Sequence, residues 1–72
     1  MSERPIDALD RAKGKKIMIK LKNGEEVIGV LRALDLHLNI WLDEAEIHNS
    51  ENTVRLGTLL VRGDTIVYAS PV

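Results

Sequence analysis

From Lys15 onward the chain keeps a period of two. Ile17, Ile19 and Leu21 alternate with Met18, Lys20 and Lys22, the pattern of a strand with one face in a core and the other in water. Asn23-Gly24 follows, a strong hairpin signal because both residue types tolerate a left-handed backbone. A second strand is predicted over about 26–33. Its two faces, Val27/Gly29/Leu31 and Ile28/Val30/Arg32, are both largely apolar, so it should be covered on both sides. Gly29 within it marks a bend or a close backbone approach. A connection over 34–38 leads to a third strand around 39–47. The polar run 48–52 is a turn, a fourth strand spans about 53–61, Arg62-Gly63-Asp64 is a tight turn, and a last strand runs over 65–70 to Pro71.

Before this pattern lies a short segment of helical period. Pro5 suits a first helical position, where its missing N–H costs nothing. Ile6, Leu9 and Ala12 recur at helical spacing over about 5–13, with Asp7 and Asp10 early and Arg11 and Lys13 late, in the order that complements the helix dipole. Gly14 is a natural stop. So short a helix must pack on something.

The predicted fold class is therefore mainly β: one N-terminal helix and a strongly bent five-stranded antiparallel sheet, or small open barrel, in a single domain over 1–72. At 72 residues a lone core is thin. The segments 58–61 and 65–68 are β-prone and uncharged, and exposed edges of that kind template aggregation. Pairing edges between identical subunits covers them, and closes into a ring when the angle permits.

Composition narrows the function classes. The chain has no cysteine, which excludes disulfides and thiolate metal sites and suits a reducing, cytoplasmic compartment. Met1 to Asp10 is mostly charged and polar, unlike a secretory leader, and the apolar runs are too short for a spanning helix. The net charge of −1 lends no support to nucleic-acid binding. Its distribution is uneven: residues 1–22 carry seven basic against three acidic side chains, and residues 43–51 carry four acidic ones. The two segments are expected on opposite sides of the molecule.

Catalytic readings are weak. The serines, Ser2, Ser50 and Ser70, lie at a terminus, in a loop and near the C-terminal end, with no base and orienter beside them. His37 and His48 fall in different predicted loops without zinc-ligand spacing, and no Gly-rich phosphate loop implies a cofactor. Asp43, Glu44 and Glu46 suit a hard cation less well than a solvated strand end.

Asp35-Leu36-His37-Leu38-Asn39 is more informative. In an extended segment its polar residues share one side and its leucines the other. Asp35 suits a turn, bonding the N–H groups that follow it. His37 offers a flat ring, and Asn39 an acceptor and two donors, enough to read a base edge. Arg62 adds a planar guanidinium that can stack on a base or bond a phosphate. A loop histidine without a task, a loop-capping amide and a turn arginine paired with Asp64 or Asp35 are the alternatives.

These residues resemble the Sm and Sm-like protein family, in particular its archaeal homo-oligomeric members. The first family motif resembles residues 17–47, with Leu21-Lys-Asn-Gly24, Gly29-Val-Leu31 and Asp35-Leu-His-Leu-Asn39 followed by Ile40-Trp41-Leu42. The second resembles residues 59–71, with Leu59-Leu-Val-Arg-Gly-Asp-Thr-Ile66. Arg4 to Leu9 resembles the family's N-terminal helix. The resemblance implies a ring, usually of seven subunits, formed by pairing the fourth strand of one subunit with the fifth of the next. It also implies uridine-rich single-stranded RNA around a central pore, one nucleotide pocket per subunit, and a role in RNA processing or ribonucleoprotein assembly. By position, His37 and Arg62 would sandwich a base and Asn39 would read its edge. Gly63 would let the backbone turn close to the base, and Asp64 would orient its neighbours. The bacterial Sm-like RNA chaperone is less similar, carrying Lys-His where this chain has Arg62-Gly63. Many relatives have an aromatic residue where this chain has Leu34, which leaves a second stacking site on the helix face without its ring. Trp41, usually an aliphatic position, reads as core filler rather than a base platform. A ring scaffold without specific RNA binding, or a small cation-dependent hydrolase, are the rival functions.

Overall fold

The computed structural model describes residues 3–72; Ser2, one of the serines weighed above, lies outside them. Helix α1 spans Pro5–Asp10, with Pro5 opening it. Asp7 caps its start by accepting the Arg4 backbone N–H at 2.9 Å and pairing with the Arg4 guanidinium at 3.1 Å. The Arg4 guanidinium holds the Asp7 carboxyl below the usual carboxylate range. The helix ends three residues short of the predicted 13. Ala12 and Lys13 donate back only three residues, to Leu9 and Asp10, because the chain is already being drawn into the sheet. Gly14, at φ +81°, donates to the Leu31 carbonyl at 2.8 Å, and Leu31 donates to Lys15 at 2.9 Å. Arg11 and Lys13 thus lie beyond the helix and pair with Glu3 and Asp10.

Six strands follow: β1 Lys16–Leu21, β2 Glu26–Leu34, β3 Ile40–His48, β4 Thr53–Arg55, β5 Leu59–Val61 and β6 Ile66–Pro71. One antiparallel sheet runs β4-β3-β2-β1-β6, and β5 also pairs with β3. The predicted fourth strand is therefore one ribbon broken at Leu56-Gly57-Thr58 into β4 and β5, both lying along β3. The break faces a bulge in β3. Between the pairs Ile28↔Glu46 and Val30↔Asp43, β3 carries one residue more than β2, and Glu44 there takes φ +52°. Opposite it sits Gly29, whose missing side chain lets β3 close in: a Cβ would stand 3.1 Å from that of Leu42 and 3.2 Å from the Ala45 Cα. A second irregularity falls between Leu31 and Ala33. These bulges bend the sheet around its own apolar face.

Ile17, Ile19, Val27, Leu31, Ile40 and Leu42 are fully buried at the centre, with Ala12, Ala45 and Val61 around them and Leu9 of α1 packed against them. Each such aliphatic side chain contributes about 1.5–3 kcal/mol by leaving water. Trp41 is not among them. The core place that the resemblance implies for it is not the one it takes: it is 43% exposed, because Ile40 and Leu42 point inward and their neighbour points out. Among the described residues β6 pairs only with β1, and β5 only with β3. Leu60, Val67 and Tyr68 are exposed along these edges.

The helix sits beside Leu34 at the end of β2 and the Asp35-Leu36 start of the loop after it, whereas the acidic segment 43–51 runs toward the other end of β3. Its Asp43 pairs with Arg32 at 3.2 Å and its Glu46 with Arg55 at 3.3 Å, so much of its charge is answered locally.

Candidate nucleic-acid interface

Two loops meet at one end of the sheet. The first, 35–39, joins β2 to β3. It is not extended, as the alternation of Asp35, His37 and Asn39 suggested, but wound around Asp35. One oxygen of that carboxylate accepts the backbone N–H groups of His37 at 2.9 Å and Asn39 at 3.0 Å. The Asp35 carbonyl accepts from Leu38 at 3.0 Å, and Leu38 takes φ +61°. Leu36 and Leu38 consequently stay exposed. The side-chain bond from Asn39, then the backbone N–H groups, hold the Asp35 carboxyl below the usual carboxylate range.

The second loop, 62–65, joins β5 to β6 through one turn of 3-10 helix, Gly63–Thr65. The Thr65 hydroxyl closes it by donating to the Arg62 carbonyl at 2.6 Å. Asn39 ties the loops together. Its Nδ2 donates to Asp35 at 3.1 Å, and its Oδ1 accepts the Gly63 N–H at 2.9 Å. Gly63 is required by the close approach that results: a Cβ there would fall 1.9 Å from the His37 carbonyl oxygen. The approach is to the His37 peptide itself. Arg62, largely exposed, donates to Asp64 at 3.2 Å.

The five residues singled out in the sequence, His37, Asn39, Arg62, Gly63 and Asp64, together line one open cavity of about 440 Å³. They offer a flat ring, a planar cation and a fixed amide. The two hydrogen bonds Asn39 already makes leave it one N–H and one oxygen lone pair to present. They also determine which end of the amide is which, since a flip would orphan the Gly63 N–H.

The other candidates lie elsewhere. His48 ends β3 rather than lying in a loop, and bonds Glu46 and Thr53 at 3.1 Å. Asp43 accepts from the Trp41 indole at 3.2 Å and from Thr58 at 3.1 Å. Among the described residues no group of three or more His, Asp or Glu is arranged to hold a metal ion. The outward row of Trp41 with Ala33 and Leu60 escaped the sequence reading, although strict alternation with Ile40 and Leu42 pointed to it.

A family model described as the LSM domain matches residues 7–71. An Sm-like protein of Archaeoglobus fulgidus is 40% identical over 72 residues, covering 99% of this chain and 94% of the relative. The heptameric SmAP1 of P. aerophilum superposes with a TM-score of 0.91 at 33% identity, covering 100% of this chain and 97% of that one. The Sm protein of Pyrococcus abyssi, solved in complex with a uridine heptamer, superposes with a TM-score of 0.90 at 38% identity, covering 97% of this chain and 100% of that one.

Proposed function

The chain belongs to the LSM-domain family, and from that premise we propose that it is one subunit of a closed ring of seven copies that binds uridine-rich single-stranded RNA and serves RNA processing or ribonucleoprotein assembly rather than catalysis. The observation that carries this reading is the single cavity into which the two loops bring His37, Asn39, Arg62, Gly63 and Asp64. A base enters between the His37 ring and the Arg62 guanidinium. Asn39 then meets its edge with one N–H and one lone pair, in a fixed order. Uracil presents a carbonyl acceptor beside the N3–H donor and matches that order. Cytosine presents the reverse order at the same edge and, in the pose that suits uracil, would need the amide flipped, at the expense of the Gly63 bond. Support for uridine-rich RNA as the ligand comes from the uridine heptamer in complex with a structural relative. Support for the ring comes from the heptameric relatives and from the free edges of β5 and β6, which in this reading pair between neighbours.

Titration of fluorescent U-, A- and C-oligomers at two salt concentrations tests it. Stacking contributes roughly 1–3 kcal/mol per base, and a ring repeats the pocket around one strand. His37→Ala and Arg62→Ala should each cut oligo-U affinity severely while the ring stays intact. The salt slope should be shallow beside that of a phosphate-dominated binder. Equal binding of the three oligomers by the wild type, or unchanged oligo-U binding by both variants, would overturn the assignment and leave a scaffold.

A further inference from the structure

A second cavity adjoins the first on the face of the sheet turned away from the core. It is mainly apolar, about 490 Å³, and Asn39 and Arg62 line both. Its floor is a row across three strands: the register pairs Ala33 of β2 with Trp41 of β3, and Trp41 with Leu60 of β5. Trp41 is 43% and Leu60 74% exposed. The indole is held in place. Its Nε1–H donates to Asp43 at 3.2 Å, and Asp43 is itself held by Arg32 at 3.2 Å and by the Thr58 hydroxyl at 3.1 Å. The result is a flat aromatic surface already ordered before anything binds, in a cavity whose charged lining side chains are Arg62 and Asp35.

We propose that Trp41, with Ala33, Leu60 and Arg62, forms a second nucleobase subsite in each subunit, occupied by a base of the same RNA strand that fills the His37/Arg62 pocket. This rests on the RNA-binding reading above. The occupant is argued from continuity, since one arginine and one asparagine belong to both cavities, and from chemistry. An indole face in a cavity that the Arg62 guanidinium also lines suits a π-system carried on a phosphate backbone. Asn39 also lines this cavity, but in this reading its free N–H and lone pair serve the first pocket, so the indole subsite reads no base edge. It accepts any base and favours the larger purine face. Pairing of the free β5 edge with a neighbour uses backbone groups in the plane of the sheet, and Trp41 on β3 and Ala33 on β2 lie inside that edge. The ring would then select uridine in one cavity and tolerate, or prefer, a purine in the next.

Trp41 is the only tryptophan in the chain, so its emission reports the subsite directly. Oligo-U and a U-tract interrupted by adenines are titrated against the intact ring, with fluorescence and anisotropy read together. Saturating RNA should quench Trp41, more strongly with the adenine-containing strand. Trp41→Val should weaken binding of that strand on the order of tenfold, while Trp41→Phe, which keeps a ring, should retain most of it. Sedimentation checks that both variants remain rings. If Trp41→Val does not, wild-type quenching and the Phe variant decide. Tight binding without quenching, or wild-type affinity in Trp41→Val, would overturn the subsite and leave the first pocket standing. A blue shift of Trp41 with protein concentration alone would also overturn it, because another copy then covers the face. No binding of either strand by anisotropy would overturn the RNA-binding reading and the subsite with it.

Discussion

Asp35 and Asn39 act first on the protein's own backbone, and only then on a ligand. Asp35 receives three hydrogen bonds from its own loop, and its depressed pKa records them. A carboxyl whose folded pKa lies below its unfolded one stabilises the fold above the unfolded value, and that contribution is lost as pH falls through the folded value. The loss therefore falls below about pH 4. Thermal melting between pH 7 and 2 should show the wild type losing stability in that window more than Asp35→Asn does. Asp7 is depressed in the same direction by Arg4, so Asp7→Asn is the control for the helix end. Gly63 is constrained by space: Gly63→Ala must displace the His37 peptide. Its cost should be on the order of 1–3 kcal/mol by thermal unfolding, with loss of oligo-U binding in the same protein. The turn role of Asp35 and the two loops as the place to look were legible in the sequence. The bond from Gly63 to Asn39 was not, because it joins residues 24 apart, and no local pattern encodes a contact of that separation.

At the scale of elements, period-two alternation located β1 and β2 and the Asn23-Gly24 hairpin, in which Gly24 takes φ +93°. It located β3 too, but not the bulge inside it. Ile40 and Leu42 are in phase, and Ala45 and Ile47 are in phase with each other one residue later. That slip marks Glu44 as the extra residue, and the break between β4 and β5 follows from it, since the pairing ribbon must bend where β3 bends. The helix ended early because Gly14 bonds to β2, a tertiary demand that helical periodicity does not contain. The last strand gives a direct test of its two faces. Val67 is 58% exposed at a free edge, while Ile66 is packed against the core. Val67→Asp should leave a folded protomer that no longer assembles. Ile66→Asp places a charge against the core, a change costing several kcal/mol, and should unfold the protomer. Sedimentation with circular dichroism separates the outcomes. An assembled Val67→Asp variant would remove β6 from the proposed interface.

For the whole molecule, one bent sheet leaves two edges unpaired among the described residues and brings two loops to one cavity, and the proposed ring answers both facts together. Edge pairing covers β5 and β6, and rotation about the ring axis repeats the cavity so that a strand meets one pocket per subunit. Fold class and edge exposure followed from strand length and apolar content alone. The number of subunits did not, because closure depends on an angle between neighbours that no single chain contains. Native mass spectrometry of the purified protein with and without oligo-U tests assembly and binding at once. The account predicts a single closed species of seven subunits, as in the heptameric relatives, that takes up one oligo-U strand and leaves oligo-A of equal length largely free. Monomers at micromolar concentration, or an intact ring that takes oligo-U no better than oligo-A, would contradict it.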